Sequence, residues 1–349
     1  MSNDAIKRVL NAGGQAVIEG VMMRTPDYLV IAVRKPDGSL KIRSHRWENV
    51  FPALVRKPFL RGMFVLYEAM HNGLQAITWS ANETADEGKK QEKLTKTGTL
   101  LTILAAFVLA VLLFVVLPHG IAYFLEKGIR GETSVNSFLF HALDGMAKIL
   151  IFTLYLWGIS KMPDVKRLFA YHGAEHKAIR TWEEGEELLP ENARKHSTHH
   201  PRCGTSFMIT VIVLSIFVFT LAFAFVPPIT GSKMLDNLLY ILIKIALIFP
   251  IGGISYELQR LADRFPQNRF FSVLIAPGLW YQRITTSEPA NDVLEVGLVA
   301  LAKALDLQER RISLPSNGTE EQFENFSLFR TSLSQDTTVL QEESPCSLT

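Results

Sequence analysis

Four long apolar runs constrain this 349-residue chain more than any other feature of it. Crossing a bilayer takes about 20 consecutive, mostly apolar helical residues. "TLLTILAAFVLAVLLFVVLPHGIAYFL" (99–125) meets that length and carries no charge before Glu126. "VNSFLFHALDGMAKILIFTLYLWGIS" (135–160) contains Asp144 and Lys148, four apart and so on one helix face. They read either as an ion pair turned into the bundle or as a relay or substrate contact. "TSFMITVIVLSIFVFTLAFAFVPPI" (205–229) is uninterrupted, and "MLDNLLYILIKIALIFPIGGISYEL" (234–258) holds Lys244 and a "PIGG" breaker. Proline removes a helix hydrogen bond, which predicts a kink at Pro250. A hydrophobic share of 48% and a net charge of +2 would alone describe a globular chain; the clustering points to an integral membrane protein, mainly α, with four transmembrane helices in two hairpins.

Basic residues set the expected orientation. Lys and Arg outside the four runs number 15 in residues 1–98, 8 in 161–204 and 8 after Leu258, against 3 in the loops 126–134 and 230–233. The positive-inside rule then puts both termini and segment 161–204 in the cytosol, in a multi-pass protein of the cytoplasmic membrane. No cleavable signal peptide is expected, because the first 20 residues lack an apolar core behind a basic start. Cys203 and Cys346, both on the cytosolic side, suggest no disulfide framework. Cys203 is then a thiol, a thiolate ligand or a nucleophile.

The remainder divides around these runs. Residues 1–98 read as a small α+β cytosolic region. In it "YLVIAV", "KPDG" and "LKIRS" spell a hairpin, and "VRKPFLRGMFVLYEAMHNGLQAITWSANE" spells an interfacial helix anchored by Arg61 and Trp79. The membrane region spans 99–258, residues 259–307 read as interfacial or cytosolic helices, and the Ser/Thr/Glu-rich stretch 308–349 reads as disordered.

Segment 171–204, "YHGAEHKAIRTWEEGEELLPENARKHSTHHPRCG", concentrates five of the nine histidines. His172, Glu175 and His176 form H-x-x-E-H, which on a helix lets two imidazoles grip one metal ion while the glutamate reaches a bound water. Zinc suits such a set, since three protein ligands leave a fourth position for a water whose pKa falls to about 7. The glutamate can then take and deliver protons. His196, His199, His200 and Cys203 follow on the same side, and the fourth run exits there with Glu257, a carboxylate from a separate helix. A solvated basic loop touching lipid headgroups is the plainer reading; it accounts for the basic residues but not for the H-x-x-E-H spacing.

"GGQAVIEGVMMR", "YHGAEHK", "ENARKHSTHHPRCGTSF" and "GGISYE", in this order between about Gly13 and Leu307, resemble the YqhQ-like family of uncharacterised bacterial multi-pass membrane proteins, predicted metal-dependent enzymes. The resemblance implies a metal site of His172, Glu175, His176, His200 and Cys203, with Glu257 behind them. It also makes Glu19 part of a motif, with no role that the residues themselves suggest.

Together these features predict a membrane metal-dependent hydrolase of an amide, ester or phosphoester, with a divalent ion, zinc by preference. His172 and His176 are expected ligands, His200, Cys203 or Glu257 complete the shell, and Glu175 is the catalytic base. Expected partners are membrane lipids and a substrate in or near the bilayer, not nucleic acid. "AGGQAVIEG" lacks the Lys-Ser/Thr ending of a phosphate loop. The alternative is a non-catalytic scaffold or assembly factor with a structural metal, for which a closed four-ligand shell would speak. A channel or transporter would need Asp144, Lys148 and Lys244 to face one cavity.

Overall fold

The computed structural model describes residues 12–47, 57, 60–85, 96–131, 137–201, 203–224, 229–265, 267–315 and 317–342. Four antiparallel strands come first: β1 (Gly13–Val17), β2 (Gly20–Arg24), β3 (Tyr28–Arg34) and β4 (Leu40–Arg46). The β3–β4 hairpin is the one that the "KPDG" turn predicts, with Arg34 opposite Leu40 and Gly38 supplying a φ of +87°. The helices are α1 (Leu60–Glu83), α2 (Lys96–Val111) continued through a π-helical turn (Leu112–Val116) into α3 (Leu117–Arg130), α4 (Phe138–Ile159), α5 (Pro163–Glu184), the single turn α6 (Pro190–Ala193), α7 (Gly204–Ala224), α8 (Lys233–Arg264), α9 (Arg269–Thr285) and α10 (Asn291–Arg310). After them come β5 (Thr319–Phe323) and α11 (Phe326–Glu342).

The sheet is covered on both faces, which is why "YLVIAV" is a continuous apolar run rather than an alternating one. Tyr28, Val30 and Ala32 of β3 point into a core shared with Tyr171, Ala174 and Ala178 of α5 and with Leu294, Leu298 and Leu301 of α10. Leu29, Ile31 and Val33 point the other way, onto Ala76 and Trp79 of α1. Trp79 is therefore no membrane anchor: it is buried against the sheet, and its indole N–H donates to Glu320. Arg61, the other expected anchor, is held by the carboxylate of Glu257.

Four helices are long and apolar enough to cross a membrane, at Leu100–Arg130, Phe138–Ile159, Ser206–Phe223 and Met234–Ala262. α3 packs on α4, α4 on α7, and α7 on α8 and α9. α8 continues through Pro250 as one helix. Beyond that proline the "GG" pair serves a crossing: a Cβ on Gly62 of α1 would stand 2.8 Å from the Cα of Gly253. The bundle and the sheet domain are thus joined through a backbone contact that larger residues would prevent.

Disorder from residue 308 is overturned for the described part of the tail. β5 extends the sheet beside β4 in the register Leu40 to Phe323, and Phe329 of α11 is buried in the main core. "TEEQF" gives the core only Phe323, and its other residues are held at the sheet edge by charge: Lys41 reaches Glu320 at 3.0 Å, and Lys303 reaches Glu321 at 2.7 Å. Cys346 and residues 343–349 lie outside the described residues, as does the linker stretch 86–95.

Candidate metal centre

The site begins with α5, where residues four apart share a face and bring the rings of His172 and His176 to 4.4 Å between centroids. The helix approaches its neighbours closely at small residues. A Cβ on Gly173 would stand 2.2 Å from the carbonyl oxygen of Ser287, and one on Gly297 of α10 would meet the Ala174 carbonyl at 3.0 Å. That approach presents backbone carbonyls to the imidazoles. His172 Nδ1 lies 2.8 Å from the Thr285 oxygen and His176 Nδ1 lies 2.5 Å from the Thr198 oxygen. A carbonyl only accepts, so each Nδ1 carries the proton and each neutral ring turns a lone pair at Nε2 inward.

Cys203, just before α7, supplies the third group. Its Sγ lies 3.1 Å from His172 Nε2, and the ligand atoms of His172, His176 and Cys203 all fall within 4.8 Å of one another. A tetrahedral zinc ion with bonds of about 2.0–2.3 Å spaces its ligands about 3.3–3.8 Å apart, so only a small closing movement separates this set from such a shell. His176 Nε2 is buried and faces Cys203, the disposition expected of a ligand atom beside its fellow ligand. The donor set and its tautomers therefore fit a divalent metal, with zinc favoured by the thiolate and imidazole mixture.

Glu175 stands beside these atoms, its carboxylate oxygen 3.9 Å from His172 Nε2 and 3.7 Å from His176 Nε2. Burial raises its pKa, while His172, His200 and the Gly14 backbone N–H, which donates to it, pull the other way. Burial lowers the pKa of His176 and keeps that ring neutral, the form a metal needs. Gly14 is a glycine for a steric reason: a Cβ there would stand 2.8 Å from Glu175 Cγ and 2.7 Å from the Met22 carbonyl oxygen. The first strand of the sheet thus roofs the glutamate.

Two of the expected shell residues lie apart from the converging atoms. His200 is buried next to His176, ring centroids 5.7 Å apart, but its Nε2 faces Glu183 at 3.2 Å and its backbone N–H donates to Gln282. Glu257 faces Arg61. His196 is near Glu186, and His199 near Ser197.

Glu19 acquires a role that sequence reasoning missed. It occupies the β1–β2 turn with a φ of +52°, a left-handed conformation costly for a residue with a Cβ. Its carboxylate binds Arg167 and accepts from the Tyr171 hydroxyl at 3.2 Å, both on the turn of α5 that precedes His172. That carboxylate holds the guanidinium charged, raising the Arg167 pKa. Thr198 and Thr285, which orient the imidazoles through their carbonyls, left no signal in the sequence because any residue offers a carbonyl. The "GG" and "VIEG" strings were the visible trace of Gly14 and Glu19.

Comparison with known proteins agrees on one family. A family model described as "Protein of unknown function (DUF1385)" matches residues 57–307. The uncharacterized protein YqhQ of Bacillus subtilis (strain 168) is 32% identical over 310 residues, covering 85% of this chain and 92% of its own. No solved structure matches the chain.

Proposed function

Since the chain belongs to the DUF1385 family, whose function is unknown, its site must speak for itself, and we propose that it is a membrane-embedded, metal-dependent hydrolase. The observation that carries the proposal is the convergence of His172 Nε2, His176 Nε2 and Cys203 Sγ, with both imidazoles fixed by backbone carbonyls and Glu175 alongside. Three protein ligands leave one position open, as catalytic zinc sites do. A divalent ion held by these residues supplies Lewis acidity toward a carbonyl or phosphoryl oxygen.

The chain's own residues do the rest. Glu175, whose pKa burial raises while His172, His200 and the Gly14 N–H favour its carboxylate, would as that carboxylate accept a proton from the attacking water and return it to the leaving group. The Gly14 N–H fixes that carboxylate from the strand side, and Thr285 and Thr198 hold the rings in one tautomer. Burial of Glu175, His176 and Cys203 excludes bulk water, and His172, the most exposed of the four, marks the way in.

The excess of Lys and Arg flanking the first run and in 161–204 supports the cytosolic face of the cytoplasmic membrane as the place of the site, with both termini cytosolic and the spans in two hairpins. Its position between α5 and the start of α7 supports an amide, ester or phosphoester substrate in or near the bilayer. A structural metal in a scaffold protein is the competing reading, favoured by how deeply His176 is buried. The deciding experiment is metal content by mass spectrometry on wild type and His176→Ala, purified without chelators. We expect about one equivalent of zinc in wild type and none in the variant; equal content in both would end the proposal.

A further inference from the structure

A second polar cluster lies inside the bundle, built from four of the apolar helices' few ionisable residues. Asp144 Oδ2 accepts from Lys148 Nζ and from Lys244 Nζ, each at 2.8 Å. Lys244 Nζ also lies 3.2 Å from His119 Nδ1, whose ring faces Asn237 at 3.3 Å on its other nitrogen. All are buried, Lys244 and Asp144 almost completely. His141 stacks on Phe223 with 5.5 Å between centroids. At about 1.5 Å of rise per residue, Asp144 lies roughly 9 Å and Lys148 roughly 15 Å from the start of α4, well inside a hydrocarbon half-layer of about 15 Å.

The charges do not balance. Two ammonium groups share one carboxylate oxygen, and every other carboxylate of the four spans has a different partner. Glu126 faces Arg130 and Ser137, Asp236 accepts from Thr230, and Glu257 binds Arg61. An uncompensated charge at this depth is strongly disfavoured, and a buried triad that stays charged requires a counter-ion. Polar capacity is also left over: Asp144 Oδ1 and both nitrogens of His141 are buried without a hydrogen-bond partner among the described residues. Around the ammonium groups the walls are aromatic, with Phe219 4.9 Å from Lys148 Nζ and Phe140 5.3 Å from Lys244 Nζ.

We infer that this cluster is a binding site for an anionic oxygen group, a phosphate or carboxylate, seated between Lys148, Lys244 and His141 in the half of the bundle remote from the histidine site. Two ammonium donors and an imidazole N–H bind the anion, and Asp144 Oδ1 accepts from a neighbouring hydroxyl of the ligand, the P–OH of hydrogen phosphate or a glycerol hydroxyl of the headgroup. The same chemistry is offered by the headgroup of an anionic lipid and by a free anion. The site depends on Asp144, Lys148, Lys244 and His141 and owes nothing to the hydrolase reading.

The test is binding to the full-length protein in neutral detergent, read by native mass spectrometry and by thermal unfolding, with phosphatidylglycerol, inorganic phosphate and, as control, phosphatidylcholine as probes. Phosphatidylglycerol binding at least tenfold tighter than phosphatidylcholine, and weakened at least tenfold in Lys148→Met, establishes a lipid site; the same pattern with phosphate establishes a free-anion site. Asp144→Asn, which adds net positive charge, should bind more tightly, and Lys148→Arg should retain binding, so misfolding cannot imitate the pattern. Equal binding of all three probes, or anion binding unchanged in Lys148→Met, would overturn the inference and leave an internal ion cluster only.

Discussion

The histidine site and the cluster among the apolar helices are buried to a similar degree and built from similar numbers of polar side chains, yet their electrostatics are opposite. At His172, His176 and Cys203 the rings present lone pairs inward, because backbone carbonyls hold the imidazole protons on the far side. At Asp144, Lys148 and Lys244 protons converge on a single acceptor. One arrangement is short of positive charge and the other has it in excess. Burial alone thus says nothing about what a polar cluster binds; the direction in which its protons point does.

This contrast can be broken in three ways. The largest effect belongs to Glu175→Gln, which should keep the metal while lowering turnover of a hydrolysable ester or phosphoester by about 10²–10⁴-fold. Loss of the metal as well, by mass spectrometry, would make Glu175 a ligand and remove the difference between base and shell. Gly173→Ala comes next. Its Cβ would press on the Ser287 carbonyl at 2.2 Å, and we expect a cost of about 1–3 kcal/mol, seen as a lower midpoint in detergent melts. An unchanged midpoint would mean that α5 is free to move and that the carbonyls do not fix the imidazoles. The smallest expected effect is none: Lys244→Met should leave zinc content at the wild-type level, and a fall would show that the two clusters are coupled.

Much of this was legible in the sequence, for definite reasons. The four spans were visible because twenty apolar residues in a row have few other uses. H-x-x-E-H was visible because helical periodicity converts a spacing of four into a shared face, and the β3–β4 hairpin because its turn needs a residue such as Gly38. What stayed hidden depends on pairing between distant segments. β5 is polar and reads as tail until it meets β4. Glu257 reads as a candidate metal ligand until Arg61, nearly two hundred residues earlier, claims it. Asp144, Lys148 and Lys244 could be grouped from the sequence only as a condition for a channel; that both lysines bond to one carboxylate oxygen shows only in the packed helices. Within the site, the contact of Gly14 with Glu175 joins the first strand to the fifth helix, and no local pattern announces such a contact.

The sheet has one further consequence, for the timing of synthesis. Its first four strands leave the ribosome before any of the four apolar helices, whereas α10 and the fifth strand, which complete its core and its edge, are made after all of them. The helix bundle is in effect an insertion within another domain's fold. At roughly 5–20 residues per second the early strands wait tens of seconds, half covered, for their partners. Protease protection of residues 12–47 in arrested nascent chains should accordingly appear only once α10 has emerged.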